Sequence, residues 1–254
     1  MRTIREIGRL SERPTAPVAH GDDSRRVLTS EWSMATYALI HGAGASSWYW
    51  HLVRPGLEAL GHDVVSPDLP CDDDAAGLAE YADVVVDAIA GRRQVVVVAQ
   101  SLAGFIAPLV ATRAPVDLMV LVAAMVPRPG EAPGEWWANT GHVFPEPFDP
   151  VAVFCHDLTT ELAAEAGRHL RDQSQSPFQR PWPLPAWPDI PTRFLACRDD
   201  RLFPIEFQRR VVRQRLGIVP DEMDGGHLPA LAHPRELVQR LEAYRAELVA
   251  GQEP

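Results

Sequence analysis

The amino-acid sequence predicts an α/β fold in which a mostly parallel, doubly wound sheet of about six strands carries an inserted lid. Apolar segments of strand length alternate with segments of helical periodicity along most of the chain, which is typical of a parallel sheet covered by helices on both faces. A length of 254 residues suits one large domain of this class. Between the last two clear strands, roughly 65 residues break the alternation, too many for an ordinary connection, and these indicate the insertion.

Each predicted element has a local reason. Strands are predicted where apolar residues run on without a polar interruption, and helices where apolar side chains recur every three or four residues, as at Leu78, Tyr81 and Val85. Glycines after such segments, at Gly61 and Gly91, mark helix ends. The predicted elements, in order, are strand 36–41, helix 48–60, strand 63–66, helix 78–90, strand 95–98, a helix after residue 101, strand 118–122, strand 192–197, helix 204–216, a weak strand 218–223 and helix 234–249.

Residues 127–190 are interpreted as the lid, and residues 34–126 and 191–254 as the core into which it is inserted. The segment holds the pair Trp136 and Trp137 and ends in a return rich in proline and tryptophan. Prolines keep such a return extended, and the aromatic rings give it an apolar face suited to covering a hydrophobic pocket. A purely structural packing layer is the alternative interpretation.

The first 33 residues are predicted to lie outside the core. Residues 1–33 are polar and lack the apolar stretch of a signal peptide, so we expect an N-terminal extension of unknown role. Met34 stands directly before the first clear strand, and a natural start at that residue is the alternative.

Composition and charge exclude several classes of function. A net charge of −10 and a pI near 5.3 argue against nucleic acid or an anionic membrane as partner. All 24 basic residues are arginine, so chemistry that needs a lysine is excluded. The cysteines, Cys71, Cys155 and Cys197, are odd in number and far apart, which predicts unpaired thiols and a cytoplasmic location. No histidine cluster has the spacing of metal ligands, so neither a metal nor another cofactor is expected.

A turn after the third predicted strand has the residues that a nucleophile needs. Ser101 follows four consecutive valines and an alanine–glutamine pair, and it is flanked by the small residues Ala99, Ala103 and Gly104. Small neighbours let a strand and a helix approach closely around a strained serine. The alternative is that Ser101 merely caps a helix.

A base and an acid for that serine follow two later strands. Asp199 and Asp200 come after strand 192–197, and Asp200 is preferred because Pro204 follows it at the start of the next helix. His227 lies on a glycine-rich turn after the last strand and is the predicted base. The carboxyl ends of parallel strands meet at one edge of a sheet, so we expect Ser101, Asp200 and His227 to meet there.

These stretches together resemble the α/β-hydrolase superfamily, and more narrowly the plant methylesterase and hydroxynitrile lyase group with its bacterial esterase relatives. The resemblance covers most of the chain from about residue 36. The matching stretches are 39–43 with Trp48 and Trp50, 99–104, 121–127, 200–208 and 226–228. It implies the α/β-hydrolase fold, a catalytic triad of Ser101, Asp200 and His227, and an oxyanion hole formed by the backbone N–H groups of Ala43 and Leu102.

The resemblance also distinguishes ester hydrolysis from hydroxynitrile lyase activity. The lyases of the group carry a threonine and a lysine at the positions that are Gly42 and Leu228 here. The sequence therefore favours a serine hydrolase that cleaves a small or aromatic, methyl-ester-like carboxylic ester. Gly42, Trp136, Trp137 and Leu228 are predicted to line its pocket.

Other cofactor-independent reactions on the same scaffold, such as carbon–carbon, lactone or amide cleavage, are the alternatives, together with a ligand receptor with little turnover. The sequence leaves the oligomeric state open, a homodimer included.

Overall fold

The structure, a computed structural model, describes residues 34–251, so the predicted N-terminal extension lies outside the described residues. Its centre is a six-stranded sheet in the order β2-β1-β3-β4-β5-β6, in which every neighbouring pair is parallel. The prediction of a mostly parallel sheet of about six strands is confirmed. The strands are β1 Thr36–Ile40, β2 Asp63–Val65, β3 Val95–Gln100, β4 Leu118–Val122, β5 Thr192–Cys197 and β6 Asp221–Met223.

Helices occupy most of the connections between these strands. The α-helices are α1 Arg54–Ala59, α2 Leu78–Ala88, α3 Ala107–Ala111, α4 Pro133–Thr140, α5 Pro150–Phe154, α6 Thr160–Arg168, α7 Ser176–Gln179, α8 Ile205–Leu216, α9 Pro229–Ala232 and α10 Pro234–Gly251. Short 3₁₀ helices cover Ser47–Trp50 and Ser101–Phe105. None of the helices described is both long and apolar enough to cross a membrane.

Two predicted helices are interrupted, and proline is the reason in both. The single helix predicted over residues 48–60 is wrong, because a 3₁₀ turn ends at Trp50 and α1 begins at Arg54, with Pro55 in its first turn. After Ser101 the chain likewise forms a 3₁₀ turn, and α3 begins only at Ala107, with Pro108 in its first turn. Proline has no N–H to donate and therefore favours the first turn of a helix over its interior.

The sheet is buried on both faces. In β3, Val95, Val97 and Ala99 belong to one apolar cluster, while Val96 and Val98 belong to the cluster on the opposite face. A strand covered on both faces must be apolar at every position, which explains its continuous run of valines. β3 therefore carries Ser101 on a rigid central support.

Three tryptophans stabilise the segment between β4 and β5 through their indole N–H groups. The indole N–H groups of Trp136, Trp182 and Trp187 donate hydrogen bonds of 3.0 Å to the carbonyl oxygens of Val126, Phe105 and Pro127, respectively. Trp136 and Trp182 are each only 1% exposed. Buried indole groups satisfy their N–H in this way, and the bond from Trp182 to Phe105 ties the segment to the turn after β3.

Candidate active site

Ser101 lies in a strained turn directly after β3. Its φ of +54° is in the left-handed region, which costs a non-glycine residue about 1–3 kcal/mol. The turn is so tight that a Cβ added at Gly104 would lie 1.9 Å from the carbonyl oxygen of Met125. Ala103 is fully buried beside it. The small residues after the serine are thus required by the close approach of two backbone segments.

Ser101, His227 and Asp200 form one hydrogen-bonded line. Nε2 of His227 is 3.0 Å from Oγ of Ser101, and Nδ1 of His227 is 2.8 Å from Oδ2 of Asp200. The side chains of His227 and Asp200 are 3% and 0% exposed. A carboxylate can only accept here, so Nδ1 carries the proton and Nε2 is free to accept from the serine hydroxyl.

The Asp200 carboxylate is held in place by the backbone of its own loop. Its Oδ1 accepts hydrogen bonds of 2.8 Å from the N–H groups of both Leu202 and Phe203. Asp199, the neighbouring acid, is exposed and accepts instead from the N–H of Gly225, at 3.1 Å. Of the two acids, the structure therefore brings Asp200 to the imidazole.

Two further polar side chains support the backbone at His227, and the sequence reasoning did not identify either. Nε2 of Gln100 donates to the carbonyl oxygen of His227 at 2.9 Å. Oδ2 of Asp157, which lies between β4 and β5, accepts from the N–H of Gly226 at 2.6 Å. A polar residue at the end of an apolar strand was the available signal for Gln100. The sequence around Asp157 contains no comparable signal.

The loop after β1 packs against the serine. A Cβ added at Gly42 would lie 2.5 Å from Oε1 of Gln100 and 2.9 Å from Cβ of Ser101. His41 stabilises this loop, since its Nδ1 donates to the carbonyl oxygen of Gly42 at 2.9 Å and its Nε2 accepts from the N–H of Leu69 at 3.1 Å. Burial lowers the pKa of His41, which keeps the ring neutral as this arrangement requires.

A cavity of about 400 Å³ opens beside Ser101. Five of the six predicted pocket or oxyanion-hole residues line it together with the serine and His227. These are Gly42, Ala43, Leu102, Trp137 and Leu228. The expectation for Trp136 needs correction: its ring lies in the core, donates to Val126 and is not among the lining residues. It fills the space beneath Trp137, with ring centroids 5.2 Å apart.

The cavity is almost entirely apolar. Its polar groups include Tyr49, Gln100 and Cys155 besides Ser101 and His227. Burial raises the pKa of both the Tyr49 phenol and the Cys155 thiol, so neither is ionised at neutral pH. Within residues 34–251, no three histidine, cysteine or acidic side chains gather as a metal site would require. The arrangement suits proton transfer by one imidazole beside an apolar ligand.

Comparison with known proteins gives a family match and similar folds. A family model described as "Alpha/beta hydrolase family" matches residues 38–240. Norfluorocurarine synthase 1 from Strychnos nux-vomica is 22% identical over 84% of this chain and 96% of its own length, and methylesterase 7 from Arabidopsis thaliana is 25% identical over 79% and 92%. The crystal structure of a polyneuridine aldehyde esterase variant is similar to this structure with a TM-score of 0.71 at 20% identity, covering 83% of this chain and 98% of that one.

Proposed function

Because the chain belongs to the α/β-hydrolase family, we propose that it is a serine hydrolase that cleaves carboxylic esters through an acyl-enzyme intermediate. Ser101 is the nucleophile, His227 the general base and acid, and Asp200 the residue that orients the imidazole. The observation that carries the proposal is the unbroken pair of hydrogen bonds from the Asp200 carboxylate to the Ser101 hydroxyl, beside an apolar cavity.

The reaction begins when Oγ of Ser101 attacks the ester carbonyl carbon and Nε2 of His227 takes the hydroxyl proton. The carbonyl oxygen becomes an oxyanion, for which the backbone N–H groups of Ala43 and Leu102 are the proposed donors. When the carbon–oxygen bond to the alcohol breaks, His227 returns the proton to the departing alkoxide. Water then attacks the acyl-serine, again giving its proton to His227, and the acid is released.

The names of the relatives support ester cleavage as the reaction. Methylesterase 7 and the polyneuridine aldehyde esterase are similar to this chain over at least 79% of its length. Lyase chemistry is not proposed, because the group's lyases resemble one another in a threonine and a lysine that are Gly42 and Leu228 here. Esters with small or aromatic groups, methyl esters included, are the first substrates to test.

The test combines turnover with covalent labelling. Purified protein is incubated with p-nitrophenyl acetate and, separately, with a fluorophosphonate probe, alongside Ser101→Ala and the control Ser66→Ala. The Ser66 hydroxyl has no hydrogen-bond partner among the described residues, so its loss should leave both signals intact. Turnover and labelling that disappear only in Ser101→Ala support the proposal. Full activity in Ser101→Ala would refute the proposal. Labelling without turnover of any ester would favour the alternative that the protein is a ligand receptor with little turnover.

A cytoplasmic location is proposed with it. Cys71, Cys155 and Cys197 are all free thiols in the structure, as suits a protein kept in a reducing compartment. Fractionation of the native host with a tagged chain tests this, and recovery from the culture medium would refute it.

A further inference from the structure

Four exposed apolar side chains form part of the cavity wall. We define the rim as Phe144, Phe148, Val151 and Leu170, whose exposed fractions are 41%, 44%, 65% and 68%. Each of the four also lines the cavity. Large side chains that are both solvent-exposed and part of a pocket wall mark a place where an apolar ligand is expected to cover them.

The rim is connected to the reactive side chains by a row of aromatic rings. Ring centroids of Phe144 and Phe148 are 6.2 Å apart, those of Phe148 and Phe154 are 6.2 Å apart, and that of Phe154 is 5.5 Å from His227. These separations are within the range of direct ring contact. The apolar surface therefore runs without interruption from solvent to the imidazole.

A second part of the cavity wall consists of small, uncharged residues. It is formed in part by α6, through the small residues Ala163, Ala166 and Gly167, and a Cβ added at Gly167 would meet no atom within 4 Å. None of the side chains that line the cavity is a carboxylate or a guanidinium. A charged ligand group would thus lose its water without gaining a counter-charge, which is costly.

We propose that the rim is the outer half of the substrate site, and that the substrate is an uncharged ester whose apolar part is long enough to reach from Ser101 to the rim. That part, a medium-length alkyl chain or a fused-ring group, extends from Ser101 past Phe154 and covers the rim. The ester element of this inference rests on the proposed function. A ligand is favoured over a second copy of the chain because the rim continues inward to the reacting side chains.

A series of p-nitrophenyl esters from acetate to decanoate tests the length of the site. We expect kcat/KM to rise by about fourfold for each added methylene while the chain fills the cavity. A kcat/KM that is highest for acetate and falls with chain length would overturn the inference.

A matched pair of variants tests the rim itself. Val151→Asp places a carboxylate on the rim, and Val219→Asp makes the same change at a valine that is 75% exposed and does not line the cavity. Position 151 is in the first turn of α5, where an acidic residue is favourable to the helix. The ratio of kcat/KM for octanoate to that for acetate should fall about tenfold in Val151→Asp and stay unchanged in Val219→Asp. Equal ratios in the two variants would overturn the inference.

A binding measurement separates this inference from the proposed function. The neutral dye N-phenyl-1-naphthylamine is titrated into Ser101→Ala, with and without each valine change, and fluorescence gives Kd. Val151→Asp should weaken dye binding several-fold more than Val219→Asp, whether or not any ester is hydrolysed. Equal Kd values would refute the rim site even if esters are cleaved. If size-exclusion chromatography shows a dimer that only Val151→Asp dissociates, with no change in the ester ratio, the rim binds a second copy and the inference is wrong.

Discussion

Replacing Asp200 by asparagine should remove almost all ester hydrolysis while preserving the fold. The oxygen at the Oδ1 position is held by two backbone N–H donors, from Leu202 and Phe203. The asparagine amide must keep its oxygen there, so its NH₂ group faces the imidazole of His227. An NH₂ group donates only, and Nδ1 must then become the acceptor.

This change of tautomer sets the size of the effect. With Nδ1 unprotonated, the ring proton is on Nε2, which can no longer accept the proton of the Ser101 hydroxyl. Loss of the correct tautomer in such a triad lowers kcat by about 10⁴-fold, which corresponds to about 5.4 kcal/mol of activation free energy. The free energy of unfolding should fall by only about 2 kcal/mol, because one charge-assisted hydrogen bond is weakened.

The assay is p-nitrophenyl acetate hydrolysis, with urea unfolding as the check on the fold. Asp199→Asn is the control, since it makes the same chemical change one residue away, at a carboxylate that bonds the N–H of Gly225 rather than His227. The control should change kcat/KM by no more than about twofold. An Asp200→Asn protein that keeps more than about a tenth of wild-type activity, or a control that loses as much as Asp200→Asn, would refute the reasoning.

Three further predictions concern stability. Gly104→Ala should lower the free energy of unfolding by about 3 kcal/mol in urea titrations, because the new methyl group would lie 1.9 Å from the Met125 carbonyl oxygen. Gly167→Ala, in α6, should instead raise the free energy of unfolding by about 0.5 kcal/mol, because the new methyl group meets no atom within 4 Å. A lower free energy of unfolding for Gly167→Ala would contradict the packing described. Burial lowers the pKa of His41 below its ordinary 6.5, so the unfolded chain takes up a proton first as the pH falls. The free energy of unfolding should therefore decrease below about pH 6.5, and His41 should contribute up to about 1.4 kcal/mol of this decrease per pH unit. In His41→Asn, the free energy of unfolding measured between about pH 6.5 and 5.5 should depend less steeply on pH.

The strands and the family could be predicted from the sequence because both depend on local pattern. Strands 118–122 and 192–197 have the predicted bounds; the first is apolar throughout, and the second is apolar and buried from Phe194 onward, as expected where both faces of a strand are covered. Membership of the α/β-hydrolase family, inferred from the serine turn, the glycine loop after β1 and the later histidine turn, is confirmed by the family model.

Tertiary packing decided what the sequence could not. A buried tryptophan and a pocket tryptophan are adjacent at positions 136 and 137, and only the orientation of α4 on the core distinguishes them. Asp157 contacts Gly226 across 69 residues of sequence, so no local spacing predicts it. The rim is likewise invisible as a pattern, because Leu170 joins Phe144, Phe148 and Val151 from 19 residues further along the chain. The division into core and lid stays a prediction.

The packing around Gly42 also restricts the routes by which this site can evolve. Any side chain at that position would collide with the Cβ of Ser101 and with the amide oxygen of Gln100. The amide nitrogen of Gln100 donates to the carbonyl oxygen of His227, so this contact also affects the histidine turn. The amide could rotate away, but the serine Cβ is fixed by the turn that carries it. A threonine at position 42 is therefore accessible only after compensating changes elsewhere, so the effect of a substitution there depends on the rest of the sequence in which it arises.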